Sequence, residues 1–287
     1  MRLQKTGLTS ELVEKILMKL GFSEPPSVDS AGLTHLYGAW CRRVPFDNIR
    51  KRIHLAQNNS LPLPGHDDAE FFHGWLRYGI GGTCWAGNAA LHALLDALGF
   101  LCRRGTATMM TTSDQPPNHG TVAVWCAGKQ FLVDASMLHN TPLLLTPGQP
   151  SAVDHPAWGL TCSPHLQQWT IRWRPLHMPD GCICRIEGFS VTRDTFRQLN
   201  EASRNRGPFN NALYIRLNTL DSVLGISNGM AVNFLSSAKL TRTPLSHENR
   251  LKLLVEKMGI SEEILGQIPA DLQARQHSLR RPTTAGN

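Results

Sequence analysis

The chain has 287 residues, of which 41% are hydrophobic and 18% are charged, and its formal net charge is +7. This composition is typical of a globular protein with a substantial core, and it excludes wholesale disorder. No stretch approaches the roughly 20 consecutive apolar residues that span a bilayer.

The cysteines and the first residues indicate a compartment. Seven cysteines are an odd number without the spacing of a disulfide framework. The first residues lead into an amphipathic pattern and lack the apolar core of a signal peptide. We therefore predict reduced thiols and a cytoplasmic location.

The first hundred residues are predicted to be mostly helical. Residues 10–20 carry apolar side chains on one face and stop at Gly21. Residues 57–66 are rich in Asn, Pro and Gly and predict a loop, after which Asp67 or Asp68 caps another helix. A helix between these two has its apolar positions at Leu33, Leu36, Tyr37 and Trp40.

A glycine-rich turn over residues 79–83 leads into a helix that ends near Gly99. Thr83 is a suitable N-cap, which places Cys84 in the first turn of that helix. The positive end of the helix dipole favours thiolate over thiol there, and the glycines leave N–H groups open to a substrate carbonyl. The alternative interpretation is that Cys84 is one more buried thiol.

Two alternating apolar runs, separated by an Ala-Gly-Lys break, predict a β-hairpin. With an even-numbered loop, Trp125 pairs with Gln130. That register places His119 and Asp134 on one face, about 7–8 Å apart at the backbone, whereas a three-residue loop would separate them. In the even register Asp134 can orient the imidazole of His119, and His119 can activate Cys84 as a nucleophile.

The surrounding segment is predicted to be an antiparallel sheet or small barrel. Short apolar runs alternate with Gly and Pro from residue 101 to residue 189, and residues 146–165 read as a long loop. The Cys182-x-Cys184 pair is too tight for the usual zinc spacing, so we predict a structural role and no metal site. Three apolar side chains are candidates for lining an acyl or aryl pocket, namely Met109, Met110 and Trp125. A role in the core is the simpler interpretation.

The last third is predicted to mix helices with a three-stranded sheet. Asn228-Gly229 is a strong hairpin turn between two of the strands. The predicted strands are residues 212–217, 221–227 and 229–235. The predicted helices run from Thr192 or Asp194 to about 202, from Ser246 to Gly259, and over 261–274, followed by a disordered tail from Gln276.

Several motifs resemble those of the arylamine N-acetyltransferases. That family carries a Cys-His-Asp triad, a Gly-Gly-x-Cys turn and a Val-Pro-Phe-Glu-Asn segment, for which this chain has Val-Pro-Phe-Asp-Asn. The matching positions are residues 44–48, residues 81–84 with Asn88, His119 with Gly120, Val133 with Asp134, and Asn200 with residues 207–209. The likeness spans most of the chain, and its first half is the more specific.

The resemblance implies an α+β fold with a papain- or transglutaminase-like cysteine core. It implies a helical domain at 1–100 with the nucleophile, a central antiparallel β-barrel domain at 101–190 with the His and Asp, and an α/β lid domain at 191–287. It also implies acetyl-CoA as co-substrate, no permanently bound cofactor, and an arylamine or hydrazine acceptor. The implied catalytic residues are Cys84, His119 and Asp134, and the substrate-binding residues are Phe46, Trp85, Gly120 and Phe209.

The chain departs from the family pattern at two charged positions. The family's arginine before Gly-Gly is Ile80 here, and its glutamate two residues after the cysteine is Ala86. Asp47 keeps a carboxylate without the expected arginine. We expect Ile80 to pack against apolar neighbours such as Ala86 or Trp85, and we expect the departures to affect substrate choice rather than thiol chemistry.

The sequence therefore favours acyl transfer from acyl-CoA to an amine through an acyl-cysteine. An amide synthase using another acyl thioester, including one held by an acyl carrier protein, is one alternative. A transglutaminase-like hydrolase or protease is a second, and a binding protein without turnover is a third. The positive charge fits an anionic donor or an acidic carrier as well as a solvated surface, and neither nucleic acid nor a membrane is an expected partner.

Overall fold

The computed structural model describes residues 7–110, 116–165, 168–205, 207 and 209–271, and it confirms the α+β class. The helices are α1 Ser10–Leu20, α2 Ser30–Arg43, α3 Ile49–Ala56, α4 Asp68–Tyr78, α5 Cys84–Ala97, α6 Arg193–Ala202, α7 His247–Leu251 and α8 Glu262–Leu265, with a π-helical stretch Lys252–Lys257 after α7. The strands are β1 Phe46–Asp47, β2 Leu101–Met109, β3 His119–Cys126, β4 Lys129–Val133, β5 Leu143–Leu145, β6 Ser151–Val153, β7 Leu160–His165, β8 Gln168–Trp173, β9 Cys182–Gly188, β10 Ile215–Asn218, β11 Ser222–Ser227, β12 Met230–Leu235 and β13 Leu240–Pro244.

The predicted helices of the first hundred residues are confirmed, and the ends of α1 and α4 follow the expected capping chemistry, whereas Thr83 lies at the N-cap of α5 without a side-chain capping hydrogen bond. Thr9 caps α1, and Gly21 ends it in the left-handed region with φ 88°. Asp67 caps α4, and Gly79 ends it with φ 72°, which turns the chain toward Cys84. Helix α3 was not predicted, because its inner face includes basic residues that an apolar pattern does not reveal.

Strands β2 to β9 form an eight-stranded antiparallel sheet in the order β5-β4-β3-β2-β9-β8-β7-β6. The edge strands β5 and β6 contact each other, so the sheet curves into a nearly closed barrel. The prediction of a long loop over 146–165 is wrong, because β6 and the whole of β7 lie there. Pairing with β8 and its neighbours outweighs the local turn signal of the prolines.

Strands β1, β10, β11, β12 and β13 form a second antiparallel sheet in that order. The Asn228-Gly229 turn is confirmed by the pairing of Ser227 with Met230. Strand β13 was not predicted, and the helix expected over 261–274 covers only Glu262–Leu265 within the described residues. The predicted disordered tail lies outside the described residues.

Buried apolar side chains form two large cores. One packs α1, α2, α4 and α5 against the β3–β4 hairpin, and the other fills the barrel and touches the second sheet. Met109 packs against the barrel core, as a core role predicts. Among the described helices, none combines the length and apolarity needed to cross a bilayer.

A third core surrounds Ile80, which is fully buried. Its neighbours come from α3, β10, β11 and the 254–265 segment, so the expected apolar packing of Ile80 is confirmed. The expected contact with Ala86 or Trp85 is wrong, because those two side chains belong to other clusters. The apolar residue at position 80 thus anchors the turn before Cys84 to the C-terminal part of the chain.

Ile80→Arg should lower the free energy of unfolding by more than about 2 kcal/mol, because it places a charge in an apolar core. Ile80→Leu, which conserves volume, should cost less than about 1.5 kcal/mol. Adding Ala86→Glu to Ile80→Arg should give an additive loss, since the two side chains lie in different clusters. Urea unfolding of the wild type, of the single variants Ile80→Arg and Ala86→Glu, and of the double variant measures this cycle, and recovery in the double variant would contradict the assignment of Ile80 to its own core.

Candidate active site

A buried carboxylate holds the turn that presents Cys84. Asp47 Oδ2 accepts the N–H of Gly81 at 2.6 Å, and the N–H of Asp47 donates to the carbonyl of Gly82 at 3.1 Å. Gly81 is required there, because a Cβ would lie 1.9 Å from the carbonyl oxygen of Pro45. Cys84 consequently begins α5, where the first N–H groups have no partner within the helix.

His119 and Asp134 are brought together by the β3–β4 hairpin. Trp125 pairs with Gln130 and Cys126 pairs with Lys129, which leaves a two-residue loop and confirms the even register. His119 begins β3 and Asp134 directly follows β4. Nε2 of His119 lies 2.8 Å from Oδ2 of Asp134, and both side chains are buried.

The second oxygen of Asp134 is fixed by the turn that follows it. Oδ1 accepts the N–H of Ser136 at 2.9 Å, the Ser136 hydroxyl at 2.8 Å and the N–H of Met137 at 3.0 Å. Burial alone would raise the pKa of Asp134, but the charge of His119 and these hydrogen bonds outweigh it and hold that pKa well below its usual range. Asp134 is therefore an anion with one oxygen left for His119.

His119 lies between Asp134 and the thiol of Cys84. Burial opposes the charged ring, but the attraction and hydrogen bond from Asp134, with a further hydrogen bond to Cys84, raise the pKa of His119 to about 10. Because Nε2 faces Asp134, Nδ1 is the ring nitrogen left for the thiol. Cys84 is 8% exposed, and its sulfur lies 3.9 Å from the carbonyl oxygen of Asn118.

Asn88 joins the helix of Cys84 to both strands of the hairpin. Its Nδ2 donates to the carbonyls of Cys84 at 3.0 Å and Gly120 at 2.6 Å, and its Oδ1 accepts the N–H of Ala135 at 2.9 Å. From the sequence, Asn88 is distinguished only as a motif match. Its position four residues after Cys84, on the same helix face, is the signal that could have indicated this role.

The four predicted substrate-binding residues form two separate groups. Trp85 packs edge-to-face on Phe196 of α6 with ring centroids 5.1 Å apart. Gly120 lies beneath both rings, because a Cβ there would be 2.7 Å from Phe196 and 2.8 Å from Trp85. Phe46 and Phe209 form the second group, edge-to-face at 5.2 Å.

A buried lysine near the thiol was not predicted. Lys51 of α3 is 7% exposed, and its Nζ donates to the carbonyl and to Oγ of Ser203, both at 2.9 Å. Burial lowers the pKa of Lys51 to about 8, against the opposing influence of Cys84 and Glu201. Lys51 lines a small cavity with Thr83 and is one of the cations closest to the nucleophile turn.

The other cysteines and acidic groups provide no metal site in the part of the chain that is described. No group of three His, Cys, Asp or Glu side chains is placed to hold a metal ion there. All seven cysteines are free thiols, including Cys182 and Cys184, which are buried in the barrel core.

Comparison with known proteins identifies the family of the chain. A family model described as N-acetyltransferase matches residues 29–172, which is half of the chain. The chain belongs to the arylamine N-acetyltransferase family. No curated protein matches it in a sequence search.

Solved structures of that family share the fold at low sequence identity. An arylamine N-acetyltransferase of Mycobacterium smegmatis matches with TM-score 0.74 and 19% identity, over 92% of this chain and 96% of the other. The Mycobacterium marinum enzyme in complex with CoA matches with TM-score 0.74 and 14% identity, over 92% and 97%. A Bacillus cereus enzyme described as having a Cys-His-Glu catalytic triad matches with TM-score 0.71 and 15% identity, over 88% and 100%.

The carboxylate that holds the nucleophile turn should make stability depend on pH. Burial raises the pKa of Asp47 to about 6, although the N–H groups of Ile49 and Gly81 and the charge of Arg50 oppose the shift. The folded state therefore binds the proton more tightly than the unfolded state, so the contribution of Asp47 to stability falls as pH rises from about 4 to above 6. The total loss should reach at most about 3 kcal/mol.

Asp47→Asn removes this titration. The stability of the wild type minus that of the variant, measured by urea unfolding, should fall as pH rises from about 4 to about 7. Asp154→Asn, at an exposed position, is the control and should give a smaller slope. A wild-type-minus-Asp47→Asn difference that does not change with pH would contradict the assignment.

Proposed function

We propose that this chain is an N-acyltransferase that forms an acyl-cysteine at Cys84 from acyl-CoA and passes the acyl group to an amine. The observation that carries the proposal is a chain of contacts that begins at Cys84, the first residue of α5. Cys84 contacts His119, and His119 contacts a buried, anionic Asp134. Membership of the arylamine N-acetyltransferase family and the CoA complex of the Mycobacterium marinum relative support acetyl-CoA as the donor.

In the first half-reaction the sulfur of Cys84 attacks the thioester carbonyl. The N–H groups of the first turn of α5, that of Cys84 included, stabilise the oxyanion of the tetrahedral intermediate. His119 enters this step as an imidazolium, because its pKa is raised to about 10. When the C–S bond to CoA breaks, the ring gives its proton to the departing thiolate and becomes neutral.

In the second half-reaction an amine nitrogen attacks the acyl-cysteine. The neutral ring of His119 takes the proton of the amine as the new C–N bond forms, and the sulfur of Cys84 leaves as thiolate. The amide is released, and the thiolate–imidazolium pair is restored. Asp134 stabilises the charged ring in both directions without taking its proton.

Aromatic side chains support an aromatic acceptor. We assign Phe46 and Phe209 to acceptor binding, since β1 connects Phe46 to the turn before Cys84 through a bridge to Gly82. Trp85 and Gly120 border the thiol from the side of α6, and we assign them to the acyl group. The seven free thiols support a reducing compartment, which we take to be the cytoplasm.

Incubation with acetyl-CoA followed by intact mass measurement tests the acyl-cysteine. The wild type should gain one acetyl group, and Cys84→Ala should gain none. Cys126→Ala removes another buried thiol and should behave as the wild type. Addition of an arylamine should remove the acetyl group and yield the N-acetylated amine.

The alternatives are outcomes of the same experiment. Labelling only by longer acyl-CoA or by an acyl carrier thioester would indicate an amide synthase. Turnover of a glutamine or peptide amide without thioester labelling would indicate a transglutaminase-like hydrolase. No labelling by any thioester, with Cys84 intact, would contradict acyl transfer.

Asp134→Asn should lower kcat/KM by about 10³- to 10⁴-fold while leaving the fold intact. Oδ1 of residue 134 accepts four hydrogen bonds, three from the following turn and one from Nδ2 of Asn88 at 3.5 Å, so the new amide NH₂ must replace Oδ2 and face Nε2 of His119. The ring then carries its proton on Nδ1 and cannot accept one from the thiol. Steady-state kinetics with circular dichroism measure this, and a loss of less than about tenfold in a folded variant would contradict the role of Asp134.

A further inference from the structure

The hydroxyl of Tyr37 lies directly behind the catalytic carboxylate. Tyr37 belongs to α2, is 1% exposed, and is 97 residues from Asp134 in the chain. Its hydroxyl donates to the carbonyl oxygen of Asp134 at 2.9 Å. It also accepts the N–H of Asp134 at 3.1 Å and the N–H of His139 at 3.2 Å.

These three contacts engage the proton and both lone pairs of the phenol, and the thiol of Cys41 also hydrogen-bonds to the Tyr37 side chain. Two of them hold the N–H and the C=O of a single residue, Asp134. Both main-chain groups are buried with that residue, which is 0% exposed, so removal of the hydroxyl would leave them without this partner. Tyr37 therefore fixes the direction in which the Asp134 backbone presents its side chain.

The segment that Tyr37 holds is a strained turn. We call residues 134–141 the Asp134 turn. Leu138 and Asn140 in this turn have φ values of 50° and 63°, which are uncommon for residues other than glycine. The ring of His139 packs on the ring of Tyr37 with centroids 4.8 Å apart, and its Nδ1 lies 2.7 Å from the carbonyl oxygen of Thr141. Such a turn persists only where neighbouring groups hold it.

We propose that Tyr37 is a positioning residue for the transfer reaction. Its hydroxyl clamps the main chain of Asp134 and His139, so that the Asp134 carboxylate meets Nε2 of His119 at hydrogen-bonding distance. Tyr37 touches neither substrate nor the reacting atoms. This proposal rests on the proposed function for its kinetic consequence, but its effect on the thiol can be measured without any acyl transfer.

Several other titratable groups face Tyr37 and His139, and all of them are present in the test variant, in which Cys41 loses its hydrogen bond to the Tyr37 hydroxyl. Cys41 lies one turn further along α2, and Arg216 of β10 is buried beside it. The charges of Asp134 and Arg216 influence the pKa of His139 in opposite directions. The charged groups Asp134 and Arg216 are therefore the same in the wild type and in the test variant.

Tyr37→Phe removes only the hydroxyl. The rate of Cys84 alkylation by iodoacetamide should fall about tenfold near pH 6 and stay unchanged near pH 9, because a misplaced Asp134 stabilises the imidazolium less well. With acetyl-CoA and an arylamine, kcat should fall by about 10- to 100-fold while KM changes by less than about threefold. Exchange of the Asp134 and His139 amide protons should become faster.

The matched control is Tyr214→Phe. The Tyr214 hydroxyl donates to Asn228 at 2.5 Å on the surface, so its loss should leave the alkylation profile and kcat unchanged. The conservative variant, 4-aminophenylalanine at position 37, keeps a donor and an acceptor and should restore most of the alkylation rate near pH 6.

A folded Tyr37→Phe protein with the wild-type alkylation profile would overturn the proposal. If Tyr37→Phe does not fold, 4-fluorophenylalanine at position 37 fills the space of the hydroxyl and carries the same test. If that variant also fails to fold, Tyr37 is a residue of the core only, and the proposal is overturned. If the wild type is not acylated by any thioester, the proposed function fails, while the alkylation profile still decides the role of Tyr37.

Discussion

The hydrogen bond between Nε2 of His119 and Oδ2 of Asp134 is the interaction on which the site depends. Burial works against both charged groups, and each charge is stabilised by the other. Their contact reverses this, so the ring is held as a cation and the carboxylate as an anion. A charged imidazole beside a thiol at a helix N-terminus is the condition that thiolate chemistry requires.

The surrounding structure holds the backbone of Cys84, of the turn before it and of Asp134. Asp47 holds the N–H of Gly81 before the thiol, Asn88 holds the carbonyl of Cys84, and Tyr37 holds both main-chain groups of Asp134. These contacts come from the helical part, while His119 and Asp134 come from the barrel part. We retain the division into helical, barrel and lid segments as a proposal.

The sequence predicted what short-range chemistry decides. The Gly-rich turn placed Cys84 at a helix start, with Thr83 at the N-cap position but without a side-chain capping hydrogen bond. The positive-φ pair Ala127 and Gly128 closes the two-residue loop that sets the His119–Asp134 register. Contacts between distant segments could not be predicted. The partner of Tyr37 lies 97 residues away, and Trp85 meets Phe196 only after α6 has folded onto α5. Local signals also failed where sheet pairing dominates, as at β7, in which Pro164 pairs with Trp169.

The charge of His119 is the claim that can be measured most directly. Nitrogen NMR of protein labelled in its 12 histidines, assigned with a His119→Asn variant, reports the protons on each ring nitrogen as pH changes. We expect both nitrogens of His119 to be protonated at neutral pH, and we expect the ring to lose a proton only near pH 10. In Asp134→Asn, the His119 ring should show no titration near pH 10. A His119 ring that is neutral at pH 7 in the free enzyme would contradict the account.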